Sequence, residues 1–139
     1  MSLPFPSAEW ISAYKDAINA NPEYRTGAAD WTYGVVALIM KAQPPAVAED
    51  VGIWLDLERG VCREARLVKV AEAMTAPFCI TGEYARWKQV IRKELDPIKG
   101  MMQGKLRLKG DLPTIVRAVK AAQELVNSAG NVDTKFLDE

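Results

Sequence analysis

The sequence predicts an α+β fold in which a largely antiparallel sheet has its helices gathered on one side. Apolar residues alternate with a period of two between residues 31 and 81, and recur at helical spacing before and after that stretch. The elements therefore follow the order helix, four strands, helices, strand, helix. Hydrophobic residues make up 49% and charged residues 26% of the 139 residues, which suits one packed domain over residues 1–139.

The N-terminal region, residues 1–25, is predicted to contain a helix over residues 7–19. Ser7 is a suitable N-cap and Glu9 suits the positive end of the helix dipole. One apolar stripe recurs at helical spacing: Trp10, Ile11, Tyr14 and Ile18. The Asn21-Pro22 pair ends the helix.

Four strands are predicted next, over residues 31–42, 51–57, 62–71 and 77–81. In the first, one face carries Trp31, Tyr33, Val35, Ala37 and Ile39, and the other carries Val36, Leu38 and Met40. Both faces are apolar at the centre, so both should be covered. The second strand places Ile53, Leu55 and Leu57 on the face opposite Trp54, and residues 58–60 form a hairpin turn.

Helical spacing returns over residues 83–94, with Thr81 as the expected cap and Tyr84, Trp87, Ile91 and Leu95 on one face. Pro97 ends that helix and permits a short helical turn through Met102. Residues 105–109 form a short strand. Asp111 then caps a last helix to about residue 127, whose inward residues are Leu112, Ile115, Val116, Val119 and Val126. Residues 128–139 form a polar tail that frays unless Phe136 and Leu137 dock it.

The segment GMMQGKLRLKGDLP, residues 100–113, resembles a phosphate-binding loop only superficially. Such a loop needs four residues between its glycines and a hydroxyl after the lysine. Here three residues separate Gly100 from Gly104, and Leu106 follows Lys105. Alternation instead places Leu106 and Leu108 inward and the basic residues outward.

Composition argues against several other classes of protein. Lys plus Arg and Asp plus Glu both number 18, whereas nucleic-acid binders usually carry a basic excess. Histidine is absent, and Cys62 and Cys79 are too far apart in sequence to form a zinc-binding pair; we expect both to be buried thiols. We therefore expect no metal, cofactor or catalytic residues. No apolar run reaches membrane-spanning length, and the first residues lack the pattern of a secretory signal.

Residues 78–126 resemble the lipid-binding domain of the sterol carrier protein-2 family. The similar features are a strand that ends in Thr81-Gly82, an acidic residue, a helix with Trp87, and the run GKLRLKGD over residues 104–111 before a final helix. In element order the similarity extends from residue 31 to residue 126. The N-terminal stretch is similar to stand-alone prokaryotic members.

The resemblance implies a curved, mostly antiparallel five-stranded sheet covered by helices and enclosing an apolar tunnel. It also implies non-catalytic binding and transfer of a fatty acid, fatty acyl-CoA or sterol-like lipid. The chain lacks the peroxisomal C-terminal signal of eukaryotic members, so we expect a cytoplasmic protein. The candidate tunnel residues are Val36, Leu38, Trp54, Phe78, Ile80, Trp87, Ile91, Leu95, Met101, Met102, Leu106, Leu108, Ile115 and Val119.

Two further expectations concern the ends of the ligand. Methionine adapts to varied apolar shapes, so Met101 and Met102 are expected to form a flexible mouth. An anionic head group would meet Lys105, Arg107, Lys109 and Arg92. The alternative interpretations are an accessory protein that presents apolar substrates to a lipid-metabolising enzyme, or an enzyme with clustered buried carboxylates.

Overall fold

The computed structural model describes residues 2–139, which form seven strands and seven helices. The strands are β1 (Leu3–Phe5), β2 (Val36–Lys41), β3 (Val51–Glu58), β4 (Val61–Val68), β5 (Phe78–Glu83), β6 (Arg107–Lys109) and β7 (Thr134–Phe136). The helices are α1 (Ala8–Asn19), α2 (Pro22–Gly27), α3 (Val70–Ala73), α4 (Tyr84–Ile91), α5 (Pro97–Met102), α6 (Leu112–Arg117) and α7 (Val119–Gly130).

Five strands form one sheet in the order β4-β3-β2-β5-β6. Every neighbouring pair is antiparallel except β2 and β5, which run parallel. The predicted five-stranded, mostly antiparallel sheet is therefore confirmed. The parallel pair arises because the chain leaves β2, forms the β3–β4 hairpin at one side of the sheet, and returns to the other side as β5.

The predicted hairpin turn at residues 58–60 joins β3 to β4. Arg59 and Gly60 have φ angles of 48° and 84°, both in the left-handed region that a two-residue hairpin turn requires. A Cβ placed on Gly60 would lie 2.5 Å from the carbonyl oxygen of Arg25. The turn therefore rests directly on the backbone of α2.

The two faces of the sheet are covered unequally. The inner face carries the main core beneath α1, α4 and α7. On the outer face, Ala73 and Ala76 pack against Ala37, Ile39 and Cys79. The prediction that both faces are covered is confirmed for β2, but the helices do not all lie on one side. Residues 70 and 71, predicted as strand, instead begin α3.

The N-terminal helix agrees with its prediction. The Trp10 amide donates to the Ser7 hydroxyl at 3.0 Å, and all four residues of the predicted stripe are buried. Helix α2, which begins at Pro22 with Asn21 as its cap, was not predicted. Pro22 both stops one helix and begins the next, since proline is favoured in the first helical turn.

The first predicted strand is shorter than expected, because Gly34 has a φ of 93° and the regular strand begins only at Val36. The assignment of faces was wrong for the residues before it. Trp31 is buried in the inner core, and Tyr33 is half exposed.

The later elements need two corrections. Thr81 lies within β5, and Glu83 occupies the N-cap position of α4 without a side-chain capping bond. The final helix is divided at Ala118, whose ψ of 33° interrupts the hydrogen-bonding pattern between α6 and α7. The break changes which side chains face the sheet.

The C-terminal residues are docked. Ser128 is fully buried inside α7, and β7 pairs in parallel with β1, so that Phe136 packs in the core while Leu137 is 39% exposed. The tail therefore does not begin at residue 128. Both cysteines are buried free thiols, as predicted. None of the helices within residues 2–139 combines the length and apolar character needed to cross a bilayer.

Candidate functional site

A cavity of about 130 Å³ lies between the inner face of the sheet and the surrounding helices. Its lining is almost wholly apolar, and no Asp, Glu, Lys or Arg among the described residues takes part. The lining comprises Phe5, Trp10, Tyr14, Tyr24, Trp31, Val36, Leu38, Met40, Ile53, Leu55, Leu57, Ile80, Trp87, Val90, Ile91, Pro97, Met101, Ile115, Ala118, Ala121, Ala122, Leu125, Val126 and Ala129.

Strand alternation builds the floor of the cavity. Every second residue of a strand points to the same face, so one set of side chains from each strand faces inward. The inward sets from the three central strands are Val36, Leu38 and Met40 from β2, Ile53, Leu55 and Leu57 from β3, and Ile80 from β5. Registry places Val36 opposite Leu55, and Leu38 opposite both Ile53 and Ile80, which makes the floor continuous.

Small side chains on α7 and at its start make the space. Four of the six lining residues from this part of the chain are alanines, Ala118, Ala121, Ala122 and Ala129, and the other two are Leu125 and Val126. An alanine fills too little volume to reach the floor. Close packing elsewhere in a protein core leaves few voids larger than a water molecule, and the small alanine side chains leave more room here than larger residues would.

Two tryptophans of the cavity wall use their indole N–H groups in hydrogen bonds to backbone carbonyls. The Nε1 of Trp87 donates to the carbonyl of Ile39 at 3.0 Å, and the Nε1 of Trp31 donates to the carbonyl of Gly34 at 2.9 Å. The cavity therefore meets mainly the apolar faces of these rings.

The rim lies where lining residues are partly exposed. Ile91, Pro97 and Met101 form one side, and Ala122 and Leu125 of α7 lie among those on the other. These partly exposed lining residues belong to α4, α5 and α7.

Of the fourteen candidate residues, seven line the cavity: Val36, Leu38, Ile80, Trp87, Ile91, Met101 and Ile115. The structure thus brings together residues from β2, β5, α4, α5 and α6 that are distant in sequence.

The other candidates do not line it, for three different reasons. Trp54 lies on the outer face of the sheet, where the Arg66 guanidinium stacks 5.3 Å from its ring centroid. Met102 and Val119 are 67% and 43% exposed, since they lie on the outer sides of α5 and α7.

The remaining four candidates belong to the core around the cavity. Phe78 packs against Trp31, with ring centroids 5.3 Å apart. Leu108 is on the edge strand β6 and is half-buried. Leu106 and Leu95 pack against Gly100, where a Cβ would lie 3.1 Å and 3.5 Å from their methyl groups.

Gly82 also makes room for the side chain of Leu106. A Cβ at Gly82 would lie 2.5 Å from a Leu106 methyl group, so the two glycines, Gly82 and Gly100, make room for one leucine. The Lys105 and Leu106 amides also donate to the Gly100 carbonyl, at 2.8 and 3.1 Å. Gly100 is therefore a packing position, whereas Gly104, with φ of 77° and nothing within 4 Å of an added Cβ, is a turn position.

Two groups stand out among the lining residues that were not predicted. Trp10, Tyr14, Ile53, Leu55 and Leu57 had been recognised as inward stripes, but nothing in the sequence shows that a helix before the sheet faces the same space as the strands. The alanines of α7 gave no signal, because hydrophobicity alone favours larger residues as binding residues.

Burial keeps the titratable groups near the cavity neutral. Desolvation raises the pKa of the Tyr14 and Tyr24 phenols far above their ordinary value, and raises the pKa of the Cys62 thiol to about 11. The neighbouring Cys62 reinforces the pKa shifts of both tyrosines, and Tyr24 adds to the shift of Tyr14. The interior is therefore uncharged at physiological pH.

The four basic residues expected to bind an anionic head group do not form one cluster. Arg92 binds Glu139 at 2.5 Å, and Lys109 donates to the Met74 carbonyl. Lys105 and Arg107 line a separate polar groove of about 460 Å³ at the end of β2 and β5. The other charged residues of that groove are Lys41, Glu83 and Arg86.

The described carboxylates form no buried cluster of the kind an acid–base enzyme would need. Glu124 is buried, at 7% exposure, and is not part of the cavity wall. It accepts hydrogen bonds from Asn21, Lys120 and Asn127, and these bonds outweigh its burial and lower its pKa. Its contacts hold α2 against α7.

Comparison with known proteins agrees with the resemblance seen in the sequence. The model of the SCP-2 sterol transfer family matches residues 16–123. A crystal structure of sterol carrier protein 2 is 33% identical, with a TM-score of 0.79 over 91% of this chain and 97% of that one. No curated protein matches the chain.

Two other solved structures are similar. A conserved hypothetical protein of Thermus thermophilus, whose description relates it to sterol carrier proteins, is 32% identical, with a TM-score of 0.81 over 93% of this chain and 90% of that one. Palmitated SCP2L2 of Aedes aegypti shares the fold at 19% identity, with a TM-score of 0.52 over 81% of this chain and 93% of that one. This chain belongs to the SCP-2 sterol transfer family.

Proposed function

We propose that this protein is a non-catalytic carrier that binds a fatty acid, fatty acyl-CoA or sterol-like lipid in its cavity and transfers it within the cytoplasm. The observation that carries the proposal is the uncharged cavity between sheet and helices. The family, and the sterol carrier proteins to which the chain is similar, support it. The proposal includes a single domain over residues 1–139 and delivery to a lipid-metabolising enzyme.

The size of the cavity defines how binding proceeds. Ligand pockets usually measure about 300–1,000 Å³, and this cavity measures about 130 Å³. A long acyl chain or a sterol therefore enlarges it. Met101, a partly exposed lining residue of α5, has the flexible side chain that such a change requires.

Burial of the ligand supplies the affinity. Each methylene removed from water contributes about 0.8 kcal/mol, which is roughly a fourfold gain in affinity. We expect the affinity for saturated fatty acids to rise by about this factor per methylene between eight and twelve carbons, and to level off when the cavity is filled. Titration against a fluorescent fatty acid, with each chain length as competitor, measures the series.

A pair of variants tests whether this cavity is the site. Ala122→Trp places a large ring on the cavity wall, whereas Gln123→Trp places it on the exposed side of the same helix. We expect Ala122→Trp to lower the affinity at least tenfold and to shorten the chain length at which the series levels off. Equal affinities for the two variants, or no saturable binding by the unmodified protein, would contradict the proposal.

A further inference from the structure

One hydroxyl at the cavity wall has no partner. Tyr24 is 1% exposed and lines the cavity, and within residues 2–139 its phenol oxygen makes no hydrogen bond, whereas its backbone amide is bound to the Asn21 side chain. No fully enclosed side-chain nitrogen or oxygen among those residues lacks a partner. The Tyr24 oxygen therefore borders open space rather than packed protein.

The neighbouring polar atoms are already satisfied. The Tyr14 hydroxyl donates to the Leu125 carbonyl at 3.0 Å, and the Cys62 thiol donates to the Glu64 carbonyl at 3.4 Å. Neither has a hydrogen left to donate to a ligand without breaking a bond inside the protein. Tyr24 differs because a buried hydroxyl without a partner is unfavourable until something supplies one.

We propose that Tyr24 is the polar anchor of the cavity and selects a ligand whose inserted end carries one uncharged oxygen, as a hydroxyl or a carbonyl. This inference rests on the proposed function and adds the chemistry of the inserted end. A phenol both donates and accepts, so it pairs with either group.

The inserted oxygen is uncharged because the cavity offers no counter-ion. Burying a carboxylate or phosphate among apolar side chains costs far more than one neutral hydrogen bond returns. An anionic lipid therefore keeps its charged group at the rim and inserts its tail, whereas an alcohol or a sterol can insert its oxygen.

The test compares dodecan-1-ol with dodecane, each delivered from cyclodextrin and measured by displacement of the uncharged probe diphenylhexatriene. Tyr24→Phe removes the free hydroxyl, and Tyr14→Phe is the matched control because it removes a hydroxyl that is already bonded. We expect Tyr24→Phe to lower the affinity for dodecan-1-ol about fivefold to tenfold, and to leave the affinity for dodecane unchanged. Tyr14→Phe should not discriminate between the two ligands.

Thermal unfolding provides a second readout. Losing an unpartnered hydroxyl should leave the Tm of Tyr24→Phe equal or higher, whereas Tyr14→Phe loses a hydrogen bond and should melt lower. Equal effects of Tyr24→Phe on both ligands, or no effect on dodecan-1-ol, would overturn the role of Tyr24 while leaving the carrier function intact. Failure of the unmodified protein to bind either ligand would overturn the carrier function and this inference together.

Discussion

Two adjacent methionines show how residue position decides a role that residue type cannot. Met101 and Met102 are chemically identical, and both were expected at the mouth of the cavity. Neighbouring residues of a helix point about 100° apart, so only Met101 lines the rim, while Met102 is 67% exposed. The sequence identified the segment but left the facing residue open, because α5 has only six residues, most of them apolar, and so shows no polar face that would fix its phase.

This pair provides a matched test at the residue scale. Met101→Glu places a charge at the rim of an apolar cavity, where desolvation is unfavourable. We expect it to lower the affinity for a long-chain alcohol at least tenfold, measured by probe displacement. Met102→Glu, one position away and exposed, should change the affinity less than twofold. A comparable loss in both variants would show that the α5 surface, and not the cavity rim, governs binding.

Whole elements were predicted better than individual contacts. The period-two stretches gave the central strands and the hairpin, because alternation and turn chemistry are local properties of the chain. The break at Ala118 was missed, because alanine is a good helix former and nothing in the local sequence opposes a continuous helix. That break is one reason the prediction placed Val119 inside although it is 43% exposed.

Gly60 and Gly104 are both turn glycines, but they differ in whether a side chain would also collide with neighbouring atoms. Gly60 and Gly104 both have positive φ angles, but only at Gly60 would a Cβ strike backbone, 2.5 Å from the Arg25 carbonyl oxygen. We expect Gly104→Ala to lower the free energy of unfolding by about 1–2 kcal/mol, which is the cost of the left-handed conformation alone. Gly60→Ala should cost more than twice as much. Urea unfolding compares them, and equal losses would mean that the hairpin does not rest on α2.

At the scale of the whole molecule, the C-terminal residues hold α4 in place. Lys88 of α4 forms ion pairs with Asp138 and Glu139, Arg92 at the C-cap of α4 pairs with Glu139, and the Tyr84 hydroxyl donates to Asp138 at 2.9 Å. Because α4 supplies part of the cavity wall, these contacts connect the end of the chain to the site. Docking through Phe136 could be foreseen from the sequence, but the ion pairs could not, because they depend on tertiary approach across some fifty residues.

The ion pairs predict how stability depends on pH. The pKa of Asp138 is lowered below 3.8 and that of Glu139 below 4.5. In both cases the hydrogen bond from Lys88 is the largest cause, and at Glu139 a hydrogen bond from Arg92 adds to it. Groups with a lowered folded pKa stabilise the fold above the unfolded pKa, and that contribution is lost as the pH falls through the folded pKa. We expect the free energy of unfolding to decline as the pH is lowered below about 4.5.

The control for this prediction is the double variant Asp138→Asn with Glu139→Gln. It should be less stable than the unmodified protein at pH 7 and should lose less stability between pH 5 and pH 3, as followed by urea unfolding. The same pH dependence in both proteins would place the acid-sensitive groups elsewhere, with Glu124 the next to examine because its pKa is also lowered.

The proposed function requires that the inner face of the sheet, and not its outer face, holds the ligand. Intermolecular NOEs between dodecan-1-ol and methyl-labelled protein distinguish the two faces. We expect contacts at saturation with Leu55 and Ile80, which form the cavity floor. Contacts instead with Ile39 and Val68 on the outer face, or no contact with either pair, would contradict binding in the cavity.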